Sequence, residues 1–305
     1  MFKKIASSKF LRFGISAILV YFAFRNVNVS VIIKELIQVP LWFILVNLLY
    51  SLLISLIGSY RWSLLLFDRP GKSEVFNFLK STYLGAFYSL AFPTGLAGDL
   101  LKWFPLQKKY PELTKTRLLS SVLLDRFIGF SSFTILALIS VIIGKILKIS
   151  FPDFIFWLFL GLSIGVVFFY IAIFSFDVEK IIKKYPILEK LNEIVSLLKK
   201  GNKRRIILSL LVSFLSEFTW IIQTWFVSDF FHAGFSVISV FVFVPIIALV
   251  LVLPISFAGF GAREQLYLFF FSQIGIASEK TLLVSTFLGI TGILSSLIGG
   301  LFLLF

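Results

Sequence analysis

The chain has no cysteine, one histidine and one methionine in 305 residues. Without thiols there are no disulfides, thiolate metal sites or cysteine nucleophiles, and a single histidine cannot build a zinc-type cluster. Charged residues make up only 14% of the chain. A nucleotide loop is missing as well. Gly71-Lys72-Ser73 looks like the tail of one, but Leu66 stands where its first glycine belongs and no strand precedes it. The apolar–polar alternation of a membrane β-barrel is absent. The longest polar stretch, about 177–205, is too short to fold alone. These absences exclude a disulfide-stapled secreted domain, an ATP-driven pump and a soluble catalytic module, and no cofactor or metal site is expected.

What remains is apolar. Hydrophobic residues make up 59% of the chain, and the mean hydropathy is +1.01. The expected fold class is an all-α polytopic integral membrane protein. About eight hydrophobic segments lie near 11–33, 41–66, 76–104, 118–144, 154–176, 206–230, 237–272 and 280–304. The N-terminal lysines and Arg12 precede an apolar run from Phe13 to Phe24 with no small-residue cleavage site before Arg25, so this run is expected to stay as the first helix. The excess of 29 Lys and Arg over 15 Asp and Glu fits loops facing anionic lipid rather than a nucleic-acid partner. Between the fifth and sixth segments, Ile181, Leu188, Leu191, Val195 and Leu198 recur at helical spacing among lysines. A basic amphipathic connector over about 178–205 is expected at the membrane surface.

Two segments carry the same punctuation. One reads Pro93-Thr94-Gly95-Leu96-Ala97-Gly98-Asp99, the other Pro254-Ile255-Ser256-Phe257-Ala258-Gly259 and on through Gly261 to Arg263-Glu264. Proline removes a backbone donor and glycine loosens the backbone, so both should break a helix at membrane depth. Such breaks survive only where protein or a polar cavity covers them, and paired breaks point to a transporter-type site. The halves also align loosely: Trp62 precedes Pro93 and Trp220 precedes Pro254 at similar distances, and Ser121 and Ser285 follow likewise. We therefore expect one transmembrane domain, 1–305, made of two inverted repeats (about 11–150, and about 154–176 plus 206–305). The basic clusters at the N-terminus, 102–117 and 180–205 fall on one side only if 76–104 enters and returns as a re-entrant hairpin.

Charged residues near these breaks are the candidate ligand-binding groups. Glu217 lies mid-segment, where an ionised carboxylate costs about 2.5–3.5 kcal/mol on insertion scales. Trp220, Gln223 and Thr224 share its face. It needs a partner or a polar cavity, and an arginine of the second hairpin is the plainest structural partner. Asp99 and Lys102 share a face after the first break, Asp125 and Arg126 open the fourth segment, and Arg263 and Glu264 begin the helix after the second. Arg61 ends the second segment. Four cations, Arg61, Lys102, Arg126 and Arg263, suit a phosphate headgroup, whereas taken singly each fits snorkelling or ion pairing. Gly161-x-x-x-Gly165 and the row Gly292, Ser296, Gly300 read as close helix packing.

Pro93 with Gly98-Asp99, Asp125-Arg126 with Gly129, and Pro254 with Gly259-x-Gly261-x-Arg263-Glu264 resemble the lysylphosphatidylglycerol synthase transmembrane-region family over about residues 8–304. The resemblance implies an inner-membrane, flippase-like domain of a bacterium or archaeon that moves a modified phospholipid or polyprenyl-linked lipid between leaflets. It carries over Asp99, Asp125, Arg126, Gly259, Gly261, Arg263 and Glu264. Fused members add a soluble aminoacyl-transferase domain. This sequence ends at Phe305 without one, so lipid movement rather than lipid aminoacylation is expected, with a separate synthase or glycosyltransferase as partner. A lipid gradient or protons would then drive net transport, with Glu217 the candidate proton carrier. The rival readings are a secondary transporter of a small anion, a membrane enzyme binding Mg²⁺ through Asp99 and Asp125, and a non-catalytic scaffold.

Overall fold

The computed structural model describes residues 9–91, 98, 100–149, 151–175, 192–200, 203–252, 256 and 259–303. The described residues form helices and no strands. The helices are α1 (Lys9–Phe24), α2 (Val29–Ile37), α3 (Leu41–Leu64), α4 (Lys72–Ala91), α5 (Phe104–Lys109), α6 (Lys115–Ile146), α7 (Phe154–Ser175), α8 (Asn192–Lys200), α9 (Lys203–Phe230), α10 (Val237–Val252), α11 (Ala262–Ser272) and α12 (Ser278–Leu301). Five of them, α3, α6, α7, α9 and α12, are long and apolar enough to cross a bilayer. The bent pair Ser16–Phe24 and Val29–Ile37, at 97°, makes up to six if counted as one broken span. Residues 76–104 and 237–272 are not single spans. The α7 face carrying Trp157, Ile164 and Phe168 is exposed, as expected of a helix that meets lipid tails rather than water.

Side-chain contacts show how the short helices run. Phe67, just past α3, meets Tyr110, just past α5, with ring centroids 5.3 Å apart. Asn77 of α4 donates to the same Tyr110 hydroxyl at 2.9 Å. The chain from α4 to α5 therefore leaves and returns at one end of the bundle. Arg205, opening α9, pairs at that end with Asp68 at 2.8 Å. The second short-helix unit returns to the opposite end. Phe235, before α10, stacks on Phe271 of α11 at 3.7 Å, close to where Phe43 stacks on Phe230 at 3.6 Å. Lys280 of α12 ties the same end to Glu35 at 3.2 Å and to the Phe231 carbonyl at 2.9 Å. Lys108 and Lys109, beside Tyr110, share the first end with Arg205; the N-terminal cluster and 180–191 lie outside the described residues or side chains.

Packing follows a crossed pattern. Helix α4 lies on α12 and α10 lies on α6, while α3 and α9 pack on each other at the centre. Glycine permits the closest crossing: a Cβ on Gly299 would strike the Tyr83 carbonyl oxygen of α4, and one on Gly300 would sit 2.9 Å from the Phe87 ring. The other expected packing glycines behave differently. Gly161, Gly165 and Gly292 have no atom within 4 Å of an added Cβ. The apolar interior falls into two clusters, one around Phe43, Phe243 and Phe271 and one around Trp62, Phe78 and Leu118.

Candidate functional site

The last turns of α3 carry Arg61 and Trp62, and both turn inward. Arg61 Nε donates to Asp125 Oδ1 of α6 at 2.8 Å, and Lys102 Nζ donates to Asp125 Oδ2 at 3.0 Å. The Lys102 and Asp125 side chains are each 4% exposed and that of Arg61 is 15% exposed, so the triad is withdrawn from solvent. Charges at such burial persist only when paired and hydrogen-bonded. The surroundings meet that demand. Arg61 Nη1 donates to Ser213 of α9 at 2.8 Å, and Lys102 Nζ stands 4.3 Å above the Trp62 ring. Trp62 Nε1 in turn donates to Ser121 Oγ at 3.0 Å. Gly129 leaves room for the guanidinium, since a Cβ there would lie 3.2 Å from Arg61 Nη1. Arg126 differs from its neighbours: it is exposed, on the α6 face that also exposes Leu119 and Leu123.

Glu217 sits one helical turn beyond Ser213 on α9 and is 2% exposed. Its Oε1 accepts a short hydrogen bond from Ser132 of α6, while no hydrogen bond reaches the buried Oε2 among the described residues. Arg61 acts on it electrostatically. The partner is thus a serine of α6, not an arginine of the second hairpin. Farther along α9, Gln223 donates to the Asn47 carbonyl of α3 at 3.3 Å, and Thr224 donates to the Trp220 carbonyl at 3.1 Å.

Arg263 and Glu264 form a second group. Gly259 and Gly261 adopt φ of +81° and +78°, which side-chain-bearing residues rarely take, and so let the chain turn into α11. The Gly261 amide donates to Glu264 Oε2 at 2.6 Å, capping the new helix with its own side chain. Arg263 lies over the Phe260 ring at 5.6 Å. Its guanidinium occupies the space beside Gly289 of α12, where any Cβ would strike Nη1. Helix α1 crosses close by, because a Cβ on Gly261 would sit 2.8 Å from the Ser16 carbonyl.

The structure thus joins Arg61, Lys102 and Asp125 directly, and places Glu217 within reach of Arg61's field. It keeps Arg263 and Glu264 on α11 and turns Arg126 outward. Gly98 packs against α4, where a Cβ would strike the Gly85 carbonyl oxygen. Asp99, Pro93 and Pro254 lie outside the described residues. Sequence reasoning missed Ser132, Ser213 and Gly289. Ser213 had a signal in the four-residue spacing of Ser209, Ser213 and Glu217 along α9, whereas Ser132 had none. Gly289 had only the repeat register, four residues past Ser285, and a glycine in an apolar helix does not announce which side chain fills its place.

A family model described as the lysylphosphatidylglycerol synthase TM region matches residues 9–300. No curated protein and no solved structure matches the chain.

Proposed function

The chain belongs to the lysylphosphatidylglycerol synthase transmembrane-region family, and from that premise we propose that it is a lipid translocase. Its cargo in this reading is a phospholipid or polyprenyl-linked lipid, and its setting is the cytoplasmic membrane of a bacterium or archaeon, with the basic end of the bundle inside. The observation that carries the reading is the pair of short-helix units returning to opposite ends of the bundle, each bearing a cation just past its break. Inverted repeats account for this arrangement. Lys102 follows Pro93 at the interval at which Arg263 follows Pro254, and Asp125 follows Ser121 at the interval at which Gly289 follows Ser285. The contacts agree with that register: Lys102 touches Asp125, and Arg263 lies against Gly289.

In this reading Arg126, Arg263 and Lys102 handle the headgroup phosphate, while Asp99, Asp125, Glu217 and Glu264 balance the charge. Arg61 holds Asp125 in place. The acyl chains stay in lipid. The exposed Arg126, in line with exposed Leu119 and Leu123, favours a lipid over a soluble anion, because it offers a cation along an apolar face. Both oxygens of Asp125 are occupied by cations, which argues against Asp125 as a Mg²⁺ ligand.

The test is reconstitution into liposomes containing fluorescent phosphatidylglycerol or polyprenyl-phosphate analogues, with leaflet exchange read by dithionite quenching. Exchange by the wild type that falls at least tenfold in Arg263→Ala is expected. Folded protein that exchanges no lipid but accumulates a small anion would replace this reading with the secondary-transporter one.

A further inference from the structure

Among the described residues, three charged side chains, Arg61, Lys102 and Asp125, meet inside the bundle, and a fourth, Glu217, lies one helical turn past Ser213, the serine that Arg61 bonds. Arg61 links them. It bonds Asp125 directly, rests its Nη1 on Ser213 one turn before Glu217, and acts on the Glu217 carboxylate. With Glu217 ionised the formal charges of these four residues sum to zero. A monoanionic phosphodiester entering this cluster would leave it negative, and an uncompensated buried charge is strongly disfavoured. Protonation of Glu217 restores the balance. The buried Glu217 Oε2, which no hydrogen bond reaches, has room in its bonding for that proton.

We propose that each anionic headgroup entering the cluster brings one proton with it, taken up by Glu217. The identity of the anion rests on the translocase reading; the linkage of anion to proton rests on the four charges.

Among the described residues, the surrounding groups leave Glu217 as the carboxylate to take up the proton. Asp125 is clamped by two cations, Lys102 is held between Asp125 and the Trp62 ring, and the arginines stay charged. Helix α3 also brings the phenols Tyr50 and Tyr60, α7 brings Tyr170 and α11 brings Tyr267. Helix α10 has no titratable side chain. On α12 Glu279 and Lys280 sit at the far end, and on α8 Glu193 and Lys199 lie at the basic end. Arg126 of α6 is exposed and permanently charged. The sign follows from linkage: a proton taken up on binding tightens binding as pH falls, by up to about tenfold per pH unit while Glu217 is ionised in the anion-free protein.

The experiment is calorimetric titration of the full chain in detergent with dihexanoyl phosphatidylglycerol between pH 5 and 9. Buffers of different ionisation enthalpy count the protons taken up. Expected are close to one proton per lipid at the upper pH values, and no uptake with pH-independent affinity in Glu217→Gln. Glu217→Asp should keep the uptake, which covers the case in which the glutamine variant does not fold. Wild-type binding without pH dependence or proton uptake overturns the linkage and leaves the translocase reading standing. Uptake retained in Glu217→Gln overturns the assignment to Glu217. Binding of glycerophosphoglycerol, the same phosphodiester without acyl chains, but not of the lipid, with the same proton count, keeps the linkage and overturns the lipid reading. No binding of either by folded protein overturns both.

Discussion

Arg61 and Asp125 stand 64 positions apart and meet at 2.8 Å, Nε to Oδ1, where α3 crosses α6. The contact joins two helices at their most polar point, and Lys102 completes it from the chain past the first break. Among the described residues, Asp125 is thus an anion shared by both cations.

Removing that anion should be the most damaging small change in the bundle. Asp125→Asn keeps the shape but removes the negative charge that both cations share, a loss of roughly 3–5 kcal/mol by analogy with other broken buried pairs. Lys102→Met leaves Arg61 and Asp125 together and should cost less. Thermal unfolding in detergent, followed by size exclusion, ranks the two. Equal stability of Asp125→Asn and wild type would mean that the triad does not hold the helices together.

Glycine substitutions on α12 should separate stability from function. Alanine at Gly299 drives a methyl into the Tyr83 backbone carbonyl, which cannot yield without parting α4 from α12, so a cost of roughly 1–3 kcal/mol is expected. Alanine at Gly289 meets the tip of a flexible arginine instead. Its unfolding should shift by less than about 1 kcal/mol, while lipid exchange falls about as far as in Arg263→Ala. Normal exchange in Gly289→Ala would show that the resting place of the Arg263 guanidinium does not matter.

The membrane class, the long helices and the two interrupted segments were all legible in the sequence, because hydrophobic run length and proline–glycine punctuation are local signals. The bend between α1 and α2 was not, since the run over 11–33 reads as continuous and the turn is set by α2 packing on α12. Asp125 and Arg61 were both marked, yet nothing local joins residues so far apart. Trp62 and Ser121 were noted only as repeat markers, whereas in the fold they bond to each other. Glu217 drew attention through its depth, but its partner Ser132 looked like any serine of an apolar helix.

The start of α11 gives a third test. Glu264 is 1% exposed and its carboxylate accepts from the Gly261 amide at 2.6 Å. Glu264→Ala removes this one-sided cap, with an expected loss of about 1 kcal/mol, and Glu264→Gln, which keeps an acceptor oxygen, should lose less. Hydrogen exchange at the amides of 261–265 reads the effect where it arises. Protection unchanged in Glu264→Ala would mean that the turn through Gly259 and Gly261 fixes the helix start unaided.

Trp62 links the charged triad to the apolar core, and a double-mutant cycle can show whether it does so through its ring or its N–H. Trp62→Phe keeps an aromatic face beneath Lys102 but deletes the donor to Ser121, at a cost of about 1 kcal/mol from the lost hydrogen bond. Ser121→Ala keeps the ring and strands a buried indole N–H, which costs about 1–3 kcal/mol. The double variant has neither group left to strand, so its loss should fall short of the sum by about 1 kcal/mol. Strict additivity would break the proposed coupling between Trp62 and Ser121. If the losses couple as expected, the ring alone should still support Lys102. Trp62→Phe should then retain most of its lipid exchange, whereas Trp62→Leu, which removes the aromatic face, should lose both stability and exchange.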